Sequence, residues 1–224
     1  MKTHRLPAKL SAFSLIELVV VIAIIAIIAT FTVPAATTIL RGSAITQASQ
    51  TLTDQISFAR QRALSRNLAV EVRFYQYADP EAPGETVSDP TTGQYRALQL
   101  FEVVESVVAI PIDKPQRLPI SVVMEPNKTF SSLITDPSSP STRTVQKPAA
   151  SDPELPRGVA KNYNYVAFRF QQDGSTNLPP ASQWFVTIRN LTDKVTGSTP
   201  PPNFFTLQVD PVSGTVKGFR PTAG

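Results

Sequence analysis

The sequence predicts an α+β fold in which one long N-terminal helix packs on an antiparallel β-sheet domain. Three observations support this prediction. Residues 13–36 form an almost uninterrupted apolar run, residues 37–66 continue it with helical periodicity, and residues 67–224 break into short β-rich runs separated by turn residues. At 224 residues, the chain has room for one ordinary domain and an appendage.

The apolar run from Phe13 to Ala36 contains one charged residue, Glu17. A carboxylate at mid-bilayer costs about 2.5–3.5 kcal/mol on insertion scales, so a chain keeps such a residue where it has a partner. The run is long enough to span a bilayer, and the basic segment 1–12 before it predicts a cytoplasmic N-terminus with the domain on the outer side. A secretory signal is cleaved after its apolar part, whereas here the small residue Ala12 precedes it. Cleavage after Ala12 would remove the leader and retain the helix; an uncleaved single-span anchor is the alternative.

The helix is predicted to run from about Ser14 to Arg66. Pro34 removes one of its backbone hydrogen bonds and predicts a bend near the end of the apolar run. Beyond the bend, apolar residues recur at three- and four-residue steps and form one stripe for packing on a domain. The stripe consists of Ile45, Ala48, Leu52, Ile56, Ala59 and Ala63.

The β-rich domain is predicted over residues 67–224. Its strand candidates are 68–75, 95–104, 118–124, 165–170, 184–190 and 204–210. Residues 214–220 follow a Pro-Val-Ser-Gly turn and predict a closing hairpin. The segment 125–164 carries six prolines and many serines and threonines, so we expect a long surface loop there.

Composition excludes several kinds of site. The chain has no cysteine, which excludes disulfides and thiolate metal sites. Its one histidine, His4, lies in the leader, so the mature chain has no imidazole for Ser-His catalysis or a histidine metal cluster. We therefore predict no catalytic residue, no cofactor, no metal site and no enzymatic activity. Carboxylate-only or Ser-Lys chemistry stays formally open, without a motif to support it.

The segment from Ala12 to Leu18, together with the basic leader, resembles the type IV prepilin cleavage site. This resemblance implies cleavage between Ala12 and Phe13 by prepilin peptidase, N-methylation of Phe13, and a role for Glu17 in filament assembly. Physical chemistry is consistent with this role of Glu17, because the ammonium group at the N-terminus of a neighbouring subunit can compensate the charge of a buried carboxylate. Pro34 falls where pilins often carry a proline. The family usually has glycine before the cleaved bond, and Ala12 is the mildest replacement.

Residues 52–72 are similar to the H-type minor pseudopilins of type II secretion and to FimT-like minor pilins, in which such a helix end leads into the first strand. The matching residues are Ala59, Arg60, Ala63, Arg66 and Asn67. Most of the mature chain also resembles the Verru-Chthon cassette D-type prepilin-like family, through segments such as FRFQQDGSTNLP and NFFTLQVDPVSG. These likenesses imply a pilin-like fold and a minor subunit.

The implied function is structural, in a type II secretion pseudopilus or a type IV pilus-like filament. Expected partners are prepilin peptidase, other pilins or pseudopilins, an inner-membrane assembly platform and, before assembly, membrane lipid. The expected location is the inner membrane, single-pass with a periplasmic C-terminal domain, and afterwards the filament. Two alternatives stay open: a FimT-like minor pilin that binds DNA or a surface ligand, and a membrane-anchored periplasmic protein of unknown activity.

Three further groups of residues have both a functional and a structural interpretation. The candidate contacts for DNA or another ligand are Arg60, Arg62, Arg66, Lys217 and Arg220, although the three helical arginines also fit a solvated helix face. Without the leader, basic and acidic residues are nearly balanced, which disfavours nucleic acid as a partner. The segments 173–175 and 210–214 offer oxygen ligands, but neither matches an EF-hand loop and both are typical turns. For Trp184, Phe185, Phe204 and Phe205, strand alternation predicts that about half pack in the core.

Overall fold

The computed structural model describes residues 14–82, 84–104, 108–135, 145–193 and 195–221, and over residues 31–39 it describes the backbone alone. The chain divides into two compact units, which meet in sequence between Leu40 and Arg41. The elements in chain order are α1 (Leu15–Arg66), β1 (Ala69–Tyr77), a 3₁₀ turn (Pro90–Thr92), β2 (Gln94–Val104), β3 (Val108–Pro111), β4 (Gln116–Arg117), β5 (Val122–Met124), α2 (Ser132–Thr135), β6 (Asn164–Phe170), β7 (Trp184–Asn190), β8 (Phe204–Val209) and β9 (Val216–Phe219). The predicted α+β class is confirmed.

Helix α1 has the predicted length of about 52 residues. It begins one residue after Ser14, and it ends where Asn67 adopts a positive φ of 53°. A left-handed residue directly after the last helical turn is a common stop signal, and asparagine tolerates that conformation better than most residues. The helix continues through Pro34; the predicted bend there stays a prediction.

The strands within the described residues form one antiparallel sheet in the order β6-β1-β2-β5-β7-β8-β9, with β3 and β4 also paired to β2. Val72 of β1 lies opposite Leu100 of β2 on one side and Phe168 of β6 on the other. The amide of Thr176, after β6, donates to the carbonyl of Pro211, after β8, at 2.9 Å. The turns at these two places are therefore joined.

Most strand predictions are confirmed to within two residues at each end. The prediction of a strand over 118–124 is wrong at its start, because residues 118–121 form a turn and only Val122–Met124 pair in the sheet. The strands β3 and β4 are additions that the sequence did not predict. They are short and flanked by prolines, and β4 contains only polar residues, so neither shows a clear period of two.

The main core lies between the second half of α1 and the sheet. All six residues of the predicted stripe are completely buried there, against strand residues that include Val72, Leu100 and Phe168. The periodicity of the sequence therefore predicted the packing face of the helix correctly.

A second core covers the other face of the sheet, and it corrects the prediction of a surface loop over 125–164. Leu155, Val159 and Tyr163 are buried against Tyr75 and Phe101. We call the described segment 145–163 the strap. Earlier in the predicted loop, residues 132–135 form α2, whose apolar side chains are also buried. Residues 136–144 lie outside the described residues.

Candidate functional site

Residues 15–28 of the first unit present apolar side chains on all sides of the helix. The described Leu, Ile and Val side chains between residues 15 and 28 are each at least 45% exposed, and they are Leu15, Ile16, Leu18, Val19, Val20, Val21, Ile22, Ile24, Ile25, Ile27 and Ile28. Since residues 18–22 are consecutive, they point in every direction around the helix. A helix that is apolar all round is normally covered by protein or lipid, and within this chain nothing described covers it.

Glu17 lies in the first turn of this helix and is exposed. It is the one charged residue between Ser14 and Leu40. A carboxylate in the first turn interacts favourably with the helix dipole, typically by about 0.3–1 kcal/mol. The polar group of Thr30 is satisfied within the helix, because its hydroxyl donates to the carbonyl of Ala26 at 2.8 Å. Glu17 is thus the distinctive polar feature of this surface.

The predicted processing site, Ala12 and Phe13, lies outside the described residues, so cleavage and methylation there stay predictions. A search of the described residues finds no helix that combines the length and the hydropathy of a membrane span. The membrane position of residues 13–36 also stays a prediction.

In the second unit, arginine side chains of α1 contact the sheet and the turn that precedes β9. On one flank of the helix, Arg62 Nε lies 2.7 Å from Glu102 Oε1, and Arg66 Nε lies 3.6 Å from the same oxygen. On the other flank, Arg60 Nε donates to the carbonyl of Ser213 at 2.9 Å.

Arg220 also contacts the helix, since its Nη1 donates to Thr46 Oγ1 at 2.9 Å. Four of the five residues predicted as ligand contacts therefore have structural contacts, whereas Lys217 is exposed on β9. These contacts do not test ligand binding. They do show that these basic residues have a structural role in this chain.

A buried charged cluster that the sequence analysis did not predict lies between the sheet and the strap. Arg73, with 6% of its side chain exposed, has its guanidinium carbon 4.1 Å from the ring centre of Phe101 and 4.4 Å from that of Tyr165. Its Nε lies 2.6 Å from Glu71 Oε1, and its Nη1 lies 2.7 Å from Asp152 Oδ1 on the strap. Burial alone lowers the pKa of Arg73, but the two carboxylates outweigh it and raise the pKa above its usual range.

The two acidic turns are confirmed as turns. Asp173 Oδ1 accepts hydrogen bonds from the amide and hydroxyl of Ser175 at 2.9 and 2.6 Å, and these bonds lower the pKa of Asp173. Asp210 is engaged in the same way by Ser213, which also lowers its pKa. Within the described part of the chain, no three His, Cys, Asp or Glu residues are grouped so as to hold a metal ion.

The predicted aromatic residues divide between core and surface. Trp184 is completely buried, and its indole donates to the carbonyl of Pro179 at 2.8 Å, whereas Phe185, Phe204 and Phe205 are half-buried. Among the described residues of the second unit, the exposed aromatic side chains are Phe58 and Phe219.

No protein-family model matches the chain, and no curated protein matches it. A solved structure to which the chain is similar, with probability 1.00, is the minor pseudopilin EpsH from the type 2 secretion system of Vibrio cholerae. The likeness covers 80% of this chain and 98% of that chain, at 9% sequence identity and a TM-score of 0.41. At this identity and score the likeness supports no functional argument.

Proposed function

We propose that the protein is a structural subunit of a helical filament, of the kind formed by minor pilins and pseudopilins in type II secretion or type IV pilus-like machines. The observation that carries the proposal is the contrast between the two halves of α1. The half from Arg41 to Arg66 buries one apolar stripe on its own domain, whereas in the other half residues 15–28 expose apolar side chains in every direction. The apolar side chains of one half are covered by the domain of the same chain, and in this proposal those of the other half are covered by a partner protein or by lipid.

The uncovered apolar surface is large enough to drive assembly. Burying one Leu, Ile or Val side chain completely contributes about 1.5–3 kcal/mol. Covering the eleven half-exposed side chains of residues 15–28 therefore contributes on the order of 10 kcal/mol, before the entropy cost of association is subtracted. The helices of neighbouring subunits are the proposed cover in the filament, and lipid is the proposed cover before assembly.

In this proposal, Glu17 makes the assembly selective for neighbouring subunits that offer a cationic partner. A carboxylate that becomes buried between apolar helices needs a cationic partner, because an uncompensated buried charge is strongly destabilising. Cleavage after Ala12 would create such a partner, the amino group of Phe13 on a neighbouring subunit. The domain of residues 67–224 then lies outside the packed helices.

The proposal is tested by incorporation of Glu17→Gln into filaments sheared from cells that express the full chain. We expect at least a tenfold loss, because the variant keeps the size and the helix but loses the charge. Asp54→Asn is the matched control, since Asp54 is an exposed carboxylate in the domain half of the same helix. Wild-type incorporation of both variants would contradict the proposal.

The rival in which the helix is only an anchor has its own test. Residues 1–36 are replaced by an unrelated single-span anchor, and filament formation and secretion are measured. The filament proposal expects both activities to be lost. Full retention of both would favour the anchor.

A further inference from the structure

The end of the sheet domain at which the chain enters from the apolar run has an unusual surface. Arg41 is the first residue of this unit, and its side chain is exposed. Four residues further on, the buried stripe begins with Ile45. Side chains that contact the helix near Arg41 and Ile45 therefore lie close to the place where the chain enters the domain.

Strand β9 leads along α1 toward this entry point. At the start of the strand, the carbonyl of Ser213 accepts from Arg60, and after its end Arg220 donates to Thr46. Thr46 and Arg60 are fourteen helical residues, or about 21 Å, apart, so the segment from Ser213 to Arg220, which contains β9, runs beside the helix over this length. Phe219, which is 50% exposed, and Arg220 consequently lie beside the first turns of the unit.

The opposite flank of the helix adds a further exposed apolar side chain near this end. Gln47 and Thr51 border an open recess of about 400 Å³, which is also lined by the turn before β5. In that turn Ile120 is 45% exposed. The entry end thus carries apolar side chains on both flanks of the helix.

The electrostatic balance of this end is positive. The carboxylates near the recess are already matched, since Glu81 pairs with Arg157 and the buried Asp79 pairs with Arg96 and Arg117. In the part of the chain that the structure describes, by contrast, neither Arg41 nor Arg220 forms an ion pair. Lys217 adds a further exposed cation on β9, although its charge is partly balanced by Asp210.

We propose that this end of the domain docks on the headgroups of anionic lipids, with Arg41 and Arg220 contacting phosphate groups and Phe219 and Ile120 entering the interface. The inference rests on the proposed function, because it requires residues 13–36 to lie in a membrane before assembly. Cations next to a membrane surface attract anionic lipid, and exposed apolar side chains strengthen the contact by partial burial. Docking would hold the domain on the membrane until the subunit is taken into the filament.

The test uses the full chain reconstituted in nanodiscs, with hydrogen exchange of residues 41–47 and 216–221 as the readout. We expect slower exchange in discs that contain phosphatidylglycerol than in discs of phosphatidylcholine alone. Each arginine contributes about a fivefold factor, so Arg41→Gln with Arg220→Gln should weaken docking by about 25-fold. The matched control combines Arg66→Gln, at the far end of the helix, with Lys147→Gln on the strap, and it should leave docking unchanged.

The outcomes separate this inference from the function on which it rests. Lipid-dependent protection that disappears at high salt and in the Arg41/Arg220 variant supports docking, because salt screens exposed charges. Insertion into discs with equal exchange in both lipids overturns docking and leaves the filament proposal intact. Failure of the chain to insert overturns both. Salt-dependent binding of a DNA duplex to the same residues, without any lipid dependence, assigns the surface to nucleic acid and overturns the lipid proposal.

Discussion

Replacing Leu52 by alanine tests the packing of the helix on the sheet. Leu52 is completely buried in the middle of the stripe of α1. Removal of its three outer carbons loses about 2.4 kcal/mol of transfer free energy, and the cavity that remains adds to this cost. We therefore expect the free energy of unfolding to fall by about 3–4 kcal/mol.

Leu64→Ala is the matched control, because it makes the same change in the same helix at a side chain that is 44% exposed. Its cost should stay below about 1 kcal/mol. Urea unfolding of the full chain in mild detergent measures both values. The fluorescence of Trp184 reports the transition, since it is the one tryptophan of the chain and is fully buried. Equal losses for the two variants would refute the assignment of the packing face.

Three further predictions use the same unfolding assay. Arg73→Leu should cost about 3–5 kcal/mol, because it leaves Asp152 without its cation and Glu71 with Arg169 as its remaining partner, and a neutral result would contradict the role of the ion pairs. Burial raises the pKa of Tyr95 to about 12. Because the unfolded phenol ionises first, near pH 10, the contribution of Tyr95 to stability should be complete below pH 10 and fall by about 1.4 kcal/mol per unit between pH 10 and 12. The other buried tyrosines, whose pKa values are also raised, add to this fall, so a constant free energy of unfolding over that range would oppose the prediction. Gly214→Ala should destabilise by about 1–3 kcal/mol, since Gly214 has a φ of 66° and an added Cβ would overlap the carbonyl oxygen of Gly174, whereas Gly197→Ala, which has a similar φ but open space, should cost less.

The helix and its packing face were predictable because burial of a helix leaves a period in the sequence. Steps of three and four residues from Ile45 to Ala63 repeat the helical turn, and all six stripe residues are buried. The strands with clear alternation, such as Trp184–Asn190, were predictable for the equivalent reason. The end of α1 was marked by Asn67, which adopts the left-handed conformation.

The second core was not predictable, because a charged residue in a strand is normally taken to indicate a position that is exposed to solvent. Glu71 and Arg73 alternate with apolar residues in β1, a pattern that by itself is typical of a strand with one solvated face. The structure buries them because Asp152 and the rings of Phe101 and Tyr165 complete their contacts from distant parts of the chain. Such contacts leave no local periodicity.

The candidate ligand residues show a similar limit. For Arg62 and Arg66 the sequence allows a ligand contact or a solvated helix face, yet the two residues share Glu102 of β2, about 40 residues away in sequence. The sequence correctly singled out Glu17 as the exceptional charge of the apolar run, because that exception is visible in the run itself. In the proposed filament the partner of Glu17 belongs to another chain, so no property of this chain alone reveals it.

The most direct test of the filament account is N-terminal sequencing, with intact mass, of the protein recovered from sheared filaments. The account predicts a chain that begins at N-methylated Phe13 and lacks residues 1–12. Recovery of a chain that begins at Met1, confined to the membrane fraction and absent from filaments, would contradict it.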